Sequence, residues 1–257
     1  MKTKKEIVAD WLPRYTGRPL KEFGKYIILV NFDNYVKMFA ARHNVPMMGK
    51  DKNMSTATAD DITIINFGMG SPNAATVMDL LTAIRPKGCL FLGKCGGLKK
   101  QNRIGDFILP IAAIRGEGTS NDYLPPEVPA LPAFALQKAV SSTMNRQYGQ
   151  DYWTGTCYTT NRRVWEQDLK FKKYLKRIRA MAIDMETATI FTAAFANKIS
   201  AGALLLVTDN PMTPEGVKTA AKDKQVTASF SELHLSIGVD SLKELINEGN
   251  TVKHLLF

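Results

Sequence analysis

Residues 62–72 read Ile62-Thr63-Ile64-Ile65-Asn66-Phe67-Gly68-Met69-Gly70-Ser71-Pro72, and this stretch passes from a strand to a helix. The β-branched run at its start favours a buried strand. Gly68 and Gly70 permit a tight turn, Ser71 suits a helix N-cap, and Pro72 suits the first helical position. A strand that turns directly into a helix indicates a sheet with helices packed on its faces.

Other apolar runs of strand length lie on both sides of this stretch. They occupy residues 26–30, 89–92, 107–114, the neighbourhood of Ile183, and 203–207. They are continuously apolar, as in strands that helices cover on both faces. Apolar spacing of three and four predicts a helix over residues 71–84. Further helices are predicted over residues 131–144, over the Ala- and Thr-rich residues 186–195, and over residues 229–248, which carry apolar side chains on one face. We therefore predict an α/β sandwich that forms a single domain over residues 1–257.

The composition indicates an ordinary soluble globular protein. Of its 257 residues, 45% are hydrophobic and 23% are charged. No apolar run approaches the roughly 18–20 residues of a membrane helix, and no apolar segment of a signal peptide follows the basic start. Cys89, Cys95 and Cys157 lack CxxC spacing, which indicates free thiols in a reducing compartment. We expect a cytoplasmic protein without a membrane partner or a metal site.

The net charge of +10 indicates attraction for anions. The densest basic cluster spans residues 170–179, and a solvated helix face is its favoured interpretation. A second interpretation is a rim that draws an anionic substrate toward a cleft. A nucleic-acid partner is not expected, because no recognised binding motif accompanies the cluster.

Two carboxylates stand where apolar elements end. Glu186 follows the run around Ile183, and Asp209 follows residues 203–207. Ligands of such sheets gather at the carboxyl ends of strands, and a carboxylate in a dry cleft there can exchange a proton near neutral pH. One such group can hold sugar hydroxyls while the other protonates a leaving base. Together these tasks describe cleavage of the glycosidic bond of a nucleoside.

Each carboxylate also has a structural interpretation. Glu186 can be an ordinary glutamate at a helix N-terminus, where the helix dipole favours it. Asp209 can initiate the turn Asp209-Asn210-Pro211. The coincidence of both with two glycine-rich turns favours the functional interpretation.

The two glycine-rich turns support a ligand site at the same edge of the sheet. Gly68-Met69-Gly70-Ser71 opens a helix, whose unpaired N–H groups attract an anion or a sugar. Gly93-Lys94-Cys95-Gly96-Gly97 ends a second strand, and its glycines let the backbone approach a ligand. A tight turn without a ligand is the alternative for the first motif. Asn73 stands where a dinucleotide fingerprint needs a third glycine, so NAD and FAD are not expected.

Aromatic and histidine side chains add weaker signals. Trp165 and Tyr158 can stack on a purine, although core packing is the commoner fate of such side chains. His43, His234 and His254 are scattered and indicate no metal cluster. His234, on the last predicted helix, is expected to be structural.

The chain resembles the nucleoside phosphorylase/nucleosidase superfamily in four motifs that occur in the same order. These are residues 68–70, 93–97, 184–186 and 207–209. Within that superfamily it is similar to the catalytic domain of the AMP nucleosidase family over roughly residues 62–248, including Asn66 to Ala74 and Ser231 to Gly238. The resemblance implies a three-layer α/β/α sandwich with a mixed central sheet. It also implies hydrolysis of AMP to adenine and ribose 5-phosphate, without a cofactor.

The resemblance assigns roles to individual residues. It places Asp209 at N7 of the purine, Glu186 at the ribose hydroxyls and Met185 against the sugar. It places Trp165, or else Tyr158, on the base. The remaining residues expected to contact the substrate are Gly68, Gly70, Cys95, Gly96 and Thr208.

One departure from the phosphorylases concerns the nucleophile. In their motif an arginine just before the strand end and a serine after its first glycine bind phosphate. Here Phe91 and Lys94 take these positions. Because a phenylalanine cannot bind phosphate and a lysine can fill the space beside the serine position, water is the expected nucleophile. Asp33, just past the first predicted strand, is the candidate for activating that water.

The 5′-phosphate of AMP requires cations. The candidates are Lys94, Arg162, Arg163, Lys218 and, across a subunit boundary, Arg42. Members of the superfamily assemble as dimers, trimers of dimers or hexamers, so we expect a homo-oligomer and specifically a hexamer.

Two other functions stay open at this level. The first is a nucleosidase or phosphorylase that acts on an unphosphorylated purine nucleoside or methylthioadenosine, which is favoured if the basic residues point away from the cleft. The second is a non-catalytic nucleotide- or RNA-binding module, which would release no adenine.

Overall fold

A mixed sheet of eight strands runs through the computed structural model, which describes residues 2–213 and 220–247. The strands are β1 Tyr26–Val30, β2 Ser55–Ala59, β3 Ile62–Asn66, β4 Gly88–Gly97, β5 Phe107–Gly116, β6 Trp153–Thr160, β7 Ala182–Asp184 and β8 Ala201–Asp209. Their order in the sheet is β2-β3-β1-β4-β7-β6-β5-β8. Parallel pairs outnumber antiparallel ones, which are β2–β3, β4–β7 and β5–β8.

The sheet closes on itself around its longest strands. β4 pairs with β8 as well as with β1 and β7, so β4, β7, β6, β5 and β8 form a ring. The strands β1, β3 and β2 extend from that ring as an open sheet. The β4–β8 register shifts between Cys95 and Gly96, which brings Gly96 opposite Asp209. The carboxyl ends of β4 and β8 therefore meet at one place.

Seven α-helices cover this sheet in the described parts of the chain. They are α1 Lys4–Thr16, α2 Asp33–His43, α3 Ser71–Leu81, α4 Phe134–Thr143, α5 Leu169–Arg177, α6 Thr187–Ala196 and α7 Ala220–Asn247. Short 3₁₀ turns lie at Leu20–Glu22 and Thr119–Asp122, and a π-helical turn at Met144–Tyr148 continues α4.

Two separate cores lie on the two faces of the sheet. On one face Leu12 of α1, Val77 of α3 and Ile190 of α6 pack together with the strands. On the other face Phe39 of α2 and Leu242 of α7 do so. Burial of this apolar area is the main stabilising term. The predicted three-layer α/β/α sandwich with a mixed central sheet is confirmed, and its partial closure into a ring is an additional feature.

His234 is structural, as predicted. It is fully buried on α7, where its Nδ1 lies 2.9 Å from Tyr35 Oη and its Nε2 lies 3.0 Å from the Leu204 carbonyl oxygen. A carbonyl only accepts, so Nε2 carries the hydrogen and Nδ1 accepts from the tyrosine hydroxyl. Burial lowers the pKa of His234 to about 3, and the neutral ring ties α7 to α2 and β8.

The basic residues 170–179 fall largely on α5. Leu175 faces inward, while Lys173 and Lys176 are exposed, which agrees with a solvated helix face. Cys89, Cys95 and Cys157 are free and buried. None of the helices in the described residues is long and apolar enough to cross a membrane.

Candidate functional site

A cleft lies where β4 and β8 end and where the segments after β1, β3, β6 and β7 begin. It holds an open space of about 630 Å³, the adjoining solvent included. Two of the three predicted catalytic carboxylates, Glu186 and Asp209, line it. The structure therefore places both residues in one cleft, although they are 23 positions apart in the sequence.

Glu186 occupies the N-cap position of α6, but its side chain does not cap that helix. The residue is 3% exposed. Its Oε1 accepts a hydrogen bond of 2.7 Å from the Gly70 N–H, and its Oε2 accepts one of 3.3 Å from the Met185 N–H. The side chain is thus turned toward the start of α3 and does not cap α6, although Glu186 lies at the N-terminus of that helix, where the dipole favours it.

The protonation of Glu186 follows from its surroundings. Burial and the negative charge of the nearby Asp184 raise the pKa of Glu186 to about 8, while the N–H groups of Gly70 and Met185 and the charge of Arg163 act in the opposite direction. At neutral pH the carboxyl group of Glu186 therefore holds its proton. Small changes of charge nearby can release that proton.

Gly70 starts α3 with a backbone that only glycine adopts readily. Its φ is 94° and it occupies the N-cap position. Ser71, which was predicted to be the N-cap, is instead the first residue of the helix. That prediction is wrong because the Ser71 hydroxyl donates to the Met185 carbonyl oxygen at 2.7 Å. Two hydrogen bonds thus join the starts of α3 and α6, one from the Gly70 N–H to Glu186 and one from the Ser71 hydroxyl to Met185.

Asp209 ends β8 and is 9% exposed. The Thr208 hydroxyl donates to its Oδ1 at 3.0 Å. A Cβ on Gly96 would lie 3.2 Å from Ile183 Cγ2 and 3.5 Å from Asp209 Oδ2. Glycine at position 96 therefore keeps the space beside the carboxylate open.

The turn after β8 is held by Asn210. Its Nδ2 donates to the backbone oxygens of Lys99 and Asn102 at 2.8 and 3.0 Å, and its Oδ1 accepts from the Met212 N–H at 3.1 Å. The turn therefore has its own side-chain support, and the cleft-lining position of Asp209 agrees with its functional interpretation.

The two aromatic candidates for base stacking lie in different places. Trp165 lines the cleft and is 6% exposed, with its ring edge against Phe171 at 5.5 Å between centroids. Tyr158 lies behind it and packs against Phe171 and Tyr174 at 5.6 and 6.0 Å. Among the described lining residues Tyr158 is absent, so core packing accounts for it.

The end of β4 carries Phe91 and Lys94 at the two positions where phosphorylases have a phosphate-binding arginine and serine. Phe91 is fully buried and lies 5.8 Å from the Phe67 ring. A Cβ on Gly93 would come within 2.5 Å of the Phe91 ring, so glycine at position 93 accommodates that ring. Lys94 lines the cleft with its Nζ 4.4 Å from the centre of the Phe32 ring, a cation–π contact.

Three of the five predicted phosphate-binding cations line the cleft, and these are Lys94, Arg162 and Arg163. Arg162 Nη1 donates to Asp168 Oδ2 at 3.0 Å, and Arg163 Nη1 lies 3.8 Å from Glu166 Oε1. Arg42 lies elsewhere on its own chain and donates to Glu232 at 2.7 Å. Lys218 lies outside the described residues.

The structure does not bring Asp33 to the cleft. Asp33 starts α2, accepts a hydrogen bond from the Ser55 hydroxyl, and lies 3.3 Å from Lys37 Nζ. The Ser55 hydrogen bond and Lys37 lower the pKa of Asp33. Its carboxylate is thus engaged between α2 and β2.

The other predicted contacts divide between the cleft surface and its support. Met185, Cys95, Gly96 and Thr208 line the cleft, whereas Gly68 and Gly70 form the turn behind it. Lining residues that the sequence did not single out are Asn31, Phe32, Thr160, Glu166, Ile183 and Asp184. Asp184 belongs to the motif of residues 184–186 that carries the resemblance, but no role was predicted for it. Across the residues that the structure describes, no three His, Cys, Asp or Glu side chains are placed to hold a metal ion.

Comparison with known proteins agrees with this geometry. The family model of the phosphorylase superfamily matches residues 25–244. The AMP nucleosidase of Escherichia coli strain K12 is 29% identical over 93% of this chain, which spans 58% of the length of that relative.

Solved structures give the same picture. The crystal structure of AMP nucleosidase from Bacteroides thetaiotaomicron VPI-5482 superposes with a TM-score of 0.86 and 55% identity, over 96% of this chain and 99% of that one. The uridine phosphorylase of Vibrio fischeri ES114 superposes with a TM-score of 0.74 and 18% identity, over 88% and 94% of the two chains. The second likeness shows a shared fold.

Proposed function

Because this chain belongs to the phosphorylase superfamily, we propose that it is an N-glycosidase that hydrolyses AMP to adenine and ribose 5-phosphate. The observation that carries the proposal is the cleft in which buried Glu186 and Asp209 lie together with Trp165 and two arginines. The likeness to AMP nucleosidases of two organisms supports the same substrate.

Asp209 is assigned to the purine. It protonates N7, or donates a hydrogen bond to it, as the bond between N9 and C1′ breaks. A positioned general acid contributes about 10²–10⁴-fold to a rate. The Thr208 hydroxyl fixes one carboxyl oxygen, which leaves the other beside the space that Gly96 keeps open. Trp165 is assigned to stacking on the base.

Glu186 is assigned to the ribose. In its ionised form, Glu186 accepts hydrogen bonds from the sugar hydroxyls, and its negative charge stabilises the oxocarbenium-like ring that forms as the base leaves. The Gly70 N–H holds Oε1 at 2.7 Å, so the carboxylate is oriented before substrate binds. Met185, which is partly exposed in the cleft, packs against the sugar.

Arg162 and Arg163 are assigned to the 5′-phosphate. Both line the cleft, and each charge-assisted hydrogen bond contributes about 1.5–3 kcal/mol. Several such contacts favour a nucleotide over a nucleoside. Arginines in the lining disfavour the alternative of an unphosphorylated substrate, which would need no such cations.

Water is the proposed nucleophile. The phosphate-binding arginine of phosphorylases is replaced by buried Phe91, and the Lys94 ammonium group lies over the Phe32 ring. Inorganic phosphate therefore lacks the two contacts that hold it in that family. Asp33 has no part in the proposed mechanism, because Ser55 and Lys37 engage it away from the cleft.

A homo-oligomer, and specifically a hexamer, is the proposed assembly. Several large apolar side chains stay exposed on the single chain, among them Phe134 at 75% and Val164 at 79%. Exposed apolar side chains of this size support a subunit interface. Light scattering of the purified protein measures the subunit number.

The three buried free thiols support a cytoplasmic location.

A substrate panel tests the function. The protein is incubated separately with AMP, adenosine and methylthioadenosine while free adenine is measured. We expect adenine from AMP alone. Equal release from adenosine would establish the nucleosidase alternative, and release from none of the three, with AMP still bound, would establish a binding module.

A further inference from the structure

Four hydrogen-bond donors converge on the buried carboxylate of Asp184. Its Oδ2 accepts from the Thr187 N–H at 2.8 Å and from the Thr187 hydroxyl. Its Oδ1 accepts from the Thr159 hydroxyl at 2.7 Å and from the Cys157 thiol at 3.4 Å. Asp184 is 5% exposed and lines the same cleft as Glu186.

We propose that Asp184 is a positioning residue for Glu186, because it caps α6 in place of Glu186 and keeps a fixed negative charge beside it. This inference rests on the proposed function of the cleft. It adds to that function a residue that sets the charge of the ribose-binding carboxylate and thereby the working pH range.

The capping role follows from the first turn of α6. The N–H groups of a first turn lack partners within the helix. Asp184 satisfies that of Thr187, and the Thr159 hydroxyl accepts from the Ala188 N–H at 2.9 Å while it donates to Asp184. With both N–H groups satisfied from β6 and β7, the Glu186 side chain is free to bond to Gly70.

The electrostatic role follows from the unequal hydrogen bonding of the two carboxyl groups. Two hydroxyls, one N–H and one thiol donate to Asp184, and donors of this kind favour the ionised form. They oppose the burial that raises the pKa of Asp184. Glu186 receives only backbone N–H groups in the described structure. The negative charge of the pair therefore resides on Asp184, and the proton on Glu186.

Other groups face this pair. Arg163 favours ionisation of Glu186, and Asp209 lines the same cleft. The Cys157 thiol stays neutral, because burial and the charge of Asp184 raise its pKa. The arginine thus opposes Asp184, and removal of the Asp184 charge leaves burial as the remaining cause that raises the pKa of Glu186.

The test uses neutral residues that still cap a helix. Asp184→Asn and Asp184→Ser remove the charge but keep a side chain favoured at helix N-termini. Asp79→Asn is the matched control, because Asp79 is a hydrogen-bonded carboxylate that accepts from Lys4, Tyr123 and Asn197 outside this cleft. The two cap variants guard against the failure of either one to fold.

The first readout needs no substrate. The free energy of unfolding is measured against pH for each protein with and without Glu186→Gln, and the difference isolates the titration of Glu186. We expect this titration to move to lower pH by at least about one unit in both Asp184 variants, and to stay in place in Asp79→Asn. An unmoved titration in a folded Asp184 variant would overturn the proposal.

The second readout is the pH dependence of kcat/KM for AMP. If ionised Glu186 is the active form, we expect the rise of kcat/KM with pH to occur at lower pH in both Asp184 variants. A lower rate with an unmoved pH profile would mean that Asp184 is merely structural. Absence of adenine release from the wild-type protein would contradict the proposed function alone, since the first readout would still test Asp184.

Discussion

The backbone N–H of Gly70 donates a hydrogen bond of 2.7 Å to Oε1 of Glu186, across 116 residues of sequence. The bond joins the starts of α3 and α6, which lie on the same face of the sheet. It also fixes one oxygen of this carboxylate, whose other oxygen accepts from the Met185 N–H. The orientation of Glu186 therefore depends on the turn after β3 as much as on its own helix.

Replacement of Asp209 tests the general acid. Asp209→Asn keeps the shape of the side chain and its hydrogen bond with Thr208, but it cannot donate the proton. We expect kcat for AMP to fall by at least about 10²-fold, with the dissociation constant for AMP nearly unchanged. Adenine release and equilibrium binding measure the two quantities. Turnover at the wild-type rate would remove Asp209 from the mechanism.

The raised pKa of Glu186 predicts a pH-dependent stability. In the unfolded chain the carboxyl group loses its proton near its ordinary value of 4.5, while in the folded protein it keeps the proton until about pH 8. Between these values the folded state binds more protons. The free energy of unfolding should then fall as pH rises, by about 1.4 kcal/mol per pH unit.

Glu186→Gln should remove that part of the pH dependence. The contribution is fully present below the unfolded pKa and is lost as pH rises through the folded one. Denaturant unfolding at several pH values between about 5 and 8 measures it. Parallel curves for the wild-type protein and the glutamine variant would show that Glu186 titrates normally in the folded state.

Gly70→Ala tests the link between the two helix starts. A side chain at φ 94° strains the backbone by about 1–3 kcal/mol, and relief of the strain moves the N–H away from Glu186. We expect losses of both stability and kcat. Gly118→Ala is the matched control, since Gly118 has a φ of 88° and open space around a Cβ. It should lose stability but not kcat, and an equal loss of kcat in the two variants would deny Gly70 a role at the site.

Neutral replacements of Arg162 and Arg163 test the recognition of the 5′-phosphate. In Arg162→Gln and Arg163→Gln we expect KM for AMP to rise by about 10- to 100-fold, because each lost contact contributes about 1.5–3 kcal/mol. The dissociation constant of adenosine, which lacks the phosphate, should not change. Arg177→Gln, on the exposed face of α5, should leave both substrates unaffected. Equal effects on AMP and adenosine would assign the arginines to the base or the sugar.

Much of the fold follows from local sequence, and its remaining parts depend on distant contacts. The apolar runs predicted β1, β3, β4, β5 and β8, because β1, β3, β4 and β8 are almost entirely buried and β5 is buried over its first four residues. The strands β2 and β6 were missed because they are rich in Thr, Ser and small residues. In β6 the Thr159 hydroxyl finds its partners on β7 and α6 only after folding. The closure of β4 against β8 is likewise a long-range pairing that no local pattern encodes.

The candidate site, like the fold, has residues that the local sequence predicts and residues whose surroundings depend on distant contacts. Glu186 and Asp209 could be predicted because both end apolar elements on the edge where ligands gather. Asp33 also follows a strand, but Lys37 stands one helical turn after it and Ser55 reaches it from β2. Tyr158 belongs to an aromatic cluster with residues of α5. These partners are fixed by tertiary structure, so residue type alone did not separate the cleft from the core.

The most direct test of the account is the identity of the sugar product when AMP is supplied with and without inorganic phosphate. We predict equal amounts of adenine and ribose 5-phosphate in phosphate-free buffer, at a rate that added phosphate does not increase. Turnover that requires phosphate and yields ribose 1,5-bisphosphate would contradict hydrolysis in this cleft.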